Sequence, residues 1–119
     1  MAVGAHAFYN ECAGTYNTVI GDCAGYTQKG ATTNTFIGAL AGALDSTGSG
    51  NVFIGYKAGC ANSSGSCCLV IGNGTCDLIT GAFNTPSLTL DADTFITNGK
   101  GVVIGHTAQI TDVGGITPE

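Results

Sequence analysis

Six cysteines, two histidines and eight carboxylates are the residues of this 119-residue chain that could do chemistry. The cysteines fall as a pair, Cys12 and Cys23, and a cluster, Cys60, Cys67, Cys68 and Cys76. An even count suits a disulfide framework where the compartment is oxidising. All six are therefore candidate disulfide partners, between units of one chain or between chains. The plainer alternative is a set of small buried side chains, a role free cysteine often takes. Zinc is disfavoured, because there is no Cys-x-x-Cys pair and His6 and His106 lie far from the cysteine cluster in sequence. One histidine per chain would hold a metal only on a symmetry axis, and a hydrogen-bonded or half-exposed ring is the simpler reading. The carboxylates are scattered, and Asp91-Ala92-Asp93 lacks the rest of a calcium loop. No spacing suggests a Ser-His-Asp arrangement. We therefore expect no catalytic residue, no metal, no cofactor and no enzyme activity. Asn62-Ser63-Ser64 and Asn73-Gly74-Thr75 fit the N-glycosylation pattern, which chance supplies in a chain so rich in Asn, Ser and Thr.

The elements that carry these residues are legible from composition. Apolar residues make up 44% and charged residues only 9%, with 20 glycines and a net charge of −5. Low charge with surplus Gly, Ser, Thr and Asn would fit disorder, but the apolar residues are too many and too regular for that. The mixture fits all-β structure with many tight turns. Lys29, Lys57 and Lys100 are the only basic residues, so no basic patch forms and nucleic-acid binding is excluded as an expectation. No apolar run is long enough for a membrane span. Residues 1–20 lack a basic start and a long apolar stretch, so no signal peptide is read, and export would use another route such as assembly into a particle.

An internal repeat organises the chain. Ile-Gly recurs at Ile20-Gly21, Ile37-Gly38, Ile54-Gly55 and Ile71-Gly72, always 17 residues apart, and Val3-Gly4 sits one step earlier. Fixed periods of this length mark solenoid-like arrays. Five units follow, 2–18, 19–35, 36–52, 53–69 and 70–86. Position 1 is Ala2, Val19, Phe36, Phe53 and Val70; position 3 is always Gly; position 6 is Ala7, Ala24, Ala41, Ala58 and Thr75. Each unit reads as two short strands and two turns, one strand ending at the position-3 glycine (Gly21, Gly38, Gly55, Gly72) and a second following the Ala-Gly pair. Stacking aligns identical positions about 4.8 Å apart. Asn17, Asn34 and Asn51 are then expected to form a ladder of side-chain amides, and the isoleucines a buried stripe.

Positions 1 and 2 are both apolar: Val19-Ile20, Phe36-Ile37, Phe53-Ile54 and Val70-Ile71. Neighbours on a strand face opposite sides, and a coil of 17 residues has one interior. One column must therefore lie outside as an apolar stripe, which marks an interface. Symmetric self-association is its simplest partner.

Asn34-Thr35-Phe36-Ile37-Gly38-Ala39-Leu40-Ala41-Gly42 and Asn51-Val52-Phe53-Ile54-Gly55-Tyr56-Lys57-Ala58-Gly59 resemble repeats of phage tail-fibre and related viral fibre proteins. They are also similar to the head repeats of trimeric autotransporter adhesins. The resemblance covers about residues 2–86. It implies a parallel β-solenoid, or β-roll, of five coils packed or intertwined as a homotrimer, on a virion or in the extracellular space. The implied work is structural and adhesive, a shaft supporting attachment to a host receptor or glycan. A self-assembling filament subunit, stacking end to end, is the alternative.

The period breaks after Pro86, and residues 87–119 read as an irregular β segment, either a cap or a junction to a further module. Ser87–Leu90 alternates as a strand does. Thr94–Thr97 and Gly101–Gly105 read as further strands, with a turn at Asn98-Gly99.

Overall fold

The computed structural model describes residues 1–60, 65–74 and 76–91. His106, the second glycosylation pattern's Thr75, all of Asn62-Ser63-Ser64, and the strands expected beyond residue 91 lie outside the described residues. Within them the protein is all-β, with no helix, and so with no helix long and apolar enough to cross a membrane. Seven strands form one sheet in chain order: β1 (Ala2–Val3), β2 (Thr18–Ile20), β3 (Thr35–Ile37), β4 (Val52–Ile54), β5 (Cys68–Gly72), β6 (Asp77–Ala82) and β7 (Ser87–Leu90).

The first five strands are parallel and in register at the repeat period. Val19 pairs with Phe36, Phe36 with Phe53, and Phe53 with Val70. β2, β3 and β4 are triplets of β-branched or aromatic residues, Thr-Val-Ile, Thr-Phe-Ile and Val-Phe-Ile, that suit a pleated surface. Each of β1 to β4 ends because the glycine at position 3 turns to positive φ: +132° at Gly4, +139° at Gly21, +132° at Gly38 and +119° at Gly55. A second demand also fixes glycine there, since a Cβ on Gly21 would run into the backbone carbonyl of Gly38, and one on Gly38 into that of Gly55. The backbones of successive units meet at this column with no room for a side chain.

The expected second strand is absent from units 2–18, 19–35 and 36–52. After the position-3 glycine the chain makes a turn closed by Ala24 N–H to Gly21 O and by Ala41 N–H to Gly38 O. Cys23, Leu40 and Lys57, at the third residue of that turn, have φ of 53–60°, and Gly25, Gly42 and Gly59 have φ of 58–69°. Two left-handed residues so close together preclude an extended strand. The units still bond one another here, through Gly25 N–H to Ala41 O and Gly42 N–H to Ala58 O, both near 3 Å. Backbone donors in the turns thus find their partners in the next unit.

The core is the position-1 column. Val19, Phe36 and Phe53 are completely buried, with Val70 nearly so, against Ala24, Ala41 and Ala58. The Phe36 and Phe53 rings stack at 5.1 Å between centroids, 5° from parallel. Glycines make room for them: a Cβ on Gly42 would lie 2.7 Å from the Phe36 ring, and one on Gly59 2.5 Å from the Phe53 ring. Full burial of each phenylalanine contributes about 1.5–3 kcal/mol. The expected buried isoleucine stripe is therefore corrected. Ile20, Ile54 and Ile71 are half-exposed and Ile37 exposed, because strand alternation gives the interior to the residue before each of them.

The fifth unit, 70–86, does not follow the course of the other four. Its strand lengthens through Gly72, where φ is no longer positive, and a turn reverses the chain. β6 then pairs antiparallel with β5 through a register shift at Ile71/Gly72, and β7 antiparallel with β6. This unit carries Thr75-Cys76 in place of Ala-Gly, so it lacks the glycine that the left-handed turn uses. The change of pairing thus falls after β5, ahead of Pro86, and β7 continues the same sheet.

Candidate functional site

The buried polar residues sit beside the core. Asn17, Asn34 and Asn51 stack as a ladder of side-chain amides, joined through backbone groups rather than directly to one another. Each side-chain oxygen takes a backbone donor from the next unit: Asn34 N–H to Asn17 Oδ1 at 2.9 Å, Asn51 N–H to Asn34 Oδ1 at 2.8 Å, Cys68 N–H to Asn51 Oδ1 at 2.9 Å. Each side-chain nitrogen donates to a loop carbonyl, of Ala31, Gly48 and Gly65 in turn, at 2.7–2.8 Å. The asparagines therefore replace backbone ladder bonds at the corner where the chain enters the strand. That satisfies groups that would cost about 1–3 kcal/mol each if buried without partners.

A second polar column, Glu11, Gln28 and Asp45, supports the first. Gln28 Oε1 accepts from Asn34 Nδ2 at 3.1 Å, and Asp45 Oδ2 from Asn51 Nδ2 at 2.7 Å. Asp45 Oδ1 accepts the Gly48 N–H at 2.8 Å. Burial pushes the Asp45 carboxyl above the ordinary range, against the hydrogen bonds from Gly48 and Asn51 that hold it down. Glu11 behaves oppositely. Desolvation raises it, but N–H donors of Ala13, Gly14 and Gly30 gather on its carboxylate and together bring it below the ordinary value.

Within the single chain no disulfide joins the candidate cysteines. Cys12, Cys23, Cys60, Cys67 and Cys68 are unbridged thiols. Residues 17 apart face each other across neighbouring units, at a separation that suits a disulfide, and no two of the six cysteines are 17 apart. The thiols turn to local acceptors instead: Cys60 Sγ to Gly74 O at 3.7 Å, Cys68 Sγ to Ser66 O at 3.4 Å, and Cys12 Sγ to Asn10 O at 3.7 Å. Cys76 is exposed, and its carbonyl accepts the Asn73 N–H.

One grouping escaped the sequence reading. His6, Asp22 and Cys23 lie together on the surface of the first two units, with their ligand atoms all within 4.8 Å of one another. The signal was present, since 6 and 23 differ by the 17-residue period and so stack. Cys23 Sγ donates to Asp22 Oδ1 at 3.8 Å. Partial burial, and then the Asp22 carboxylate, push the Cys23 thiol above its ordinary value. Tyr9 and Tyr26 stack beside it at 5.4 Å, and His6 meets Tyr9 edge-on at 5.3 Å.

Fold and side chains together define an all-β protein of parallel, in-register repeat units whose polar groups mostly serve the stack. Comparison with protein-family models, curated proteins and solved structures finds no match.

Proposed function

We propose that this chain is a segment of a virion or extracellular fibre: a β-solenoid shaft, homotrimeric, that carries load and supports attachment to a host receptor or glycan. The observation that carries the reading is the outward isoleucine column. Ile20, Ile37, Ile54 and Ile71 follow one another on adjacent paired strands, opposite the buried column. A continuous apolar stripe of this kind gains by packing on copies of itself around an axis. The hydrogen-bonded ladder suits a mechanical task, because each of the first four units is tied to the next by backbone bonds, joined by asparagine bonds as far as the fourth.

The test is native mass by light scattering after size exclusion, with and without reductant. Three times the 11.8 kDa chain mass supports the trimeric fibre. A monomer overturns it. Among the described residues the sheet is open, with β1 and β7 as its outermost strands, which favours a second reading as a filament subunit. Very large, polydisperse particles would select that reading over the trimer.

A further inference from the structure

We propose that His6, Asp22 and Cys23 bind a zinc-class divalent transition-metal ion, which clasps the first two repeat units together. The set offers one imidazole nitrogen, one carboxylate oxygen and one thiol sulfur, all at the surface and all within 4.8 Å. Bond lengths of about 2.0–2.3 Å in a tetrahedral zinc site put neighbouring ligand atoms roughly 3.4–3.6 Å apart. The 3.8 Å between Cys23 Sγ and Asp22 Oδ1 is already close to that. Rotation of the exposed His6 and Asp22 side chains supplies the remaining closure. Sulfur and imidazole select zinc, cobalt or nickel over calcium or magnesium, which prefer oxygen alone. Three protein ligands leave one position for water or for a group from another molecule.

The backbone holds the set in place. His6 and Cys23 occupy the same position in successive units, with φ of 54° and 53°, and Cys23 N–H donates to Ala5 O at 2.9 Å. That conformation belongs to the fold, since Leu40 and Lys57 share it further along the column. What sets the first two units apart is chemistry. Ligating side chains stand at this column only there, and the neighbouring column has Ala5 and Ala39 on either side of Asp22. The Tyr9–Tyr26 pair adds a wall, and His6 lies edge-on to both rings, at 5.3 and 6.5 Å, which restricts the imidazole. The ion would bridge units one and two without touching the isoleucine column, so the inference stands apart from the fibre reading.

The experiment titrates the full, reduced chain with cobalt(II) and follows absorbance. The expected result is one equivalent bound, with a thiolate-to-cobalt charge-transfer band that zinc displaces. Cys23→Ser should abolish the band, and His6→Ala or Asp22→Asn should weaken cobalt binding at least tenfold. Cys12→Ser, which alters an exposed thiol outside the cluster, should leave the band intact. All four positions are at or near the surface, and circular dichroism would verify their folding. Absence of the band at equimolar cobalt overturns the proposal, as does a band that survives Cys23→Ser or disappears in Cys12→Ser. Zinc should also raise the melting temperature of the parent and leave that of His6→Ala unchanged; equal shifts in both would count against the clasp.

Discussion

Replacing Asn34 by alanine tests whether the asparagine ladder holds the units together. Asn34 is fully buried and serves three neighbours. Its Oδ1 accepts the Asn51 N–H at 2.8 Å, and its Nδ2 donates to Gly48 O at 2.8 Å and to Gln28 Oε1 at 3.1 Å. Truncation leaves at least the Asn51 N–H and the Gly48 carbonyl buried without these partners. At about 1–3 kcal/mol per orphaned group, the loss is roughly 2–6 kcal/mol. A whole domain is stable by about 5–15 kcal/mol, so a midpoint shift in urea will be plain. Leu44→Ala, at a side chain 59% exposed, is the control and should move stability by less than about 0.5 kcal/mol. Hydrogen exchange adds a local readout. The Asn51 amide should exchange at least about tenfold faster in Asn34→Ala, since about 1.4 kcal/mol is a factor of ten. The Asn34 amide, still accepted by Asn17 Oδ1, should change less. Asn34→Asp should not rescue, because it turns the donor facing Gly48 O into an acceptor and buries a charge. A midpoint shift no larger than that of Leu44→Ala, or unchanged Asn51 protection, would refute the account.

Gly38→Ala should lower the melting temperature sharply and cost about 2–5 kcal/mol, combining an unfavourable φ of +132° with a Cβ forced against the Gly55 backbone; Gly30→Ala, at a φ of +68° but with open space for the Cβ, carries the backbone strain alone and should cost less in the same thermal unfolding. On the proposed trimeric reading, Ile37→Lys should reduce the native mass measured by light scattering to that of a monomer while leaving the β-type circular dichroism intact, since Ile37 is 38% exposed. The two buried-column carboxylates should give opposite pH dependences. Asp45, raised in the fold, binds a proton more tightly folded than unfolded, so its contribution to stability falls as pH rises from the ordinary carboxylate value through its raised one. Glu11, lowered in the fold, contributes stability above its ordinary value that is lost as pH falls through the lowered one. Urea midpoints against pH should therefore flatten on the rising-pH side in Asp45→Asn and on the acid side in Glu11→Gln; unaltered profiles would contradict the assigned environments.

The register of the parallel strands was legible because Ile-Gly and its neighbours repeat at one spacing, and stacked strands turn equal spacing into adjacency. The position-3 glycines were legible as turns, but their crowding against the next unit was not, since it arises only when two backbones meet. The isoleucines were expected inside and lie outside, because Phe36-Ile37 reads the same from either side; Gly42, which makes room for the Phe36 ring, settles the inward residue in three dimensions. The asparagine column was legible from its 17-residue spacing, but the groups its amides bond were not. A side-chain amide one period from its neighbour competes with nearby backbone groups, and Asn17, Asn34 and Asn51 take those. The second strand of the first three units was misread because a left-handed φ at His6, Cys23 and Leu40 has no residue-type signature. His6 was weighed only against the distant Cys60–Cys76 cluster, when distance modulo 17, which brings it to Cys23, was the relevant measure.

The Glu11–Gln28–Asp45 column carries a consequence for what such a chain can be made of. An aligned stack brings each side chain to within about 4.8 Å of its own counterpart. A carboxylate repeated in adjacent units would face another at that distance, a repulsion of ~3 kcal/mol at an effective dielectric of about 20. A neutral amide at Gln28 spaces the two acids by a full unit. Asparagine recurs freely down its own column because it is uncharged and satisfies a donor on one side and an acceptor on the other. Translational self-similarity thus acts as a filter on composition, and a chain with only 9% charged residues is what passes through it.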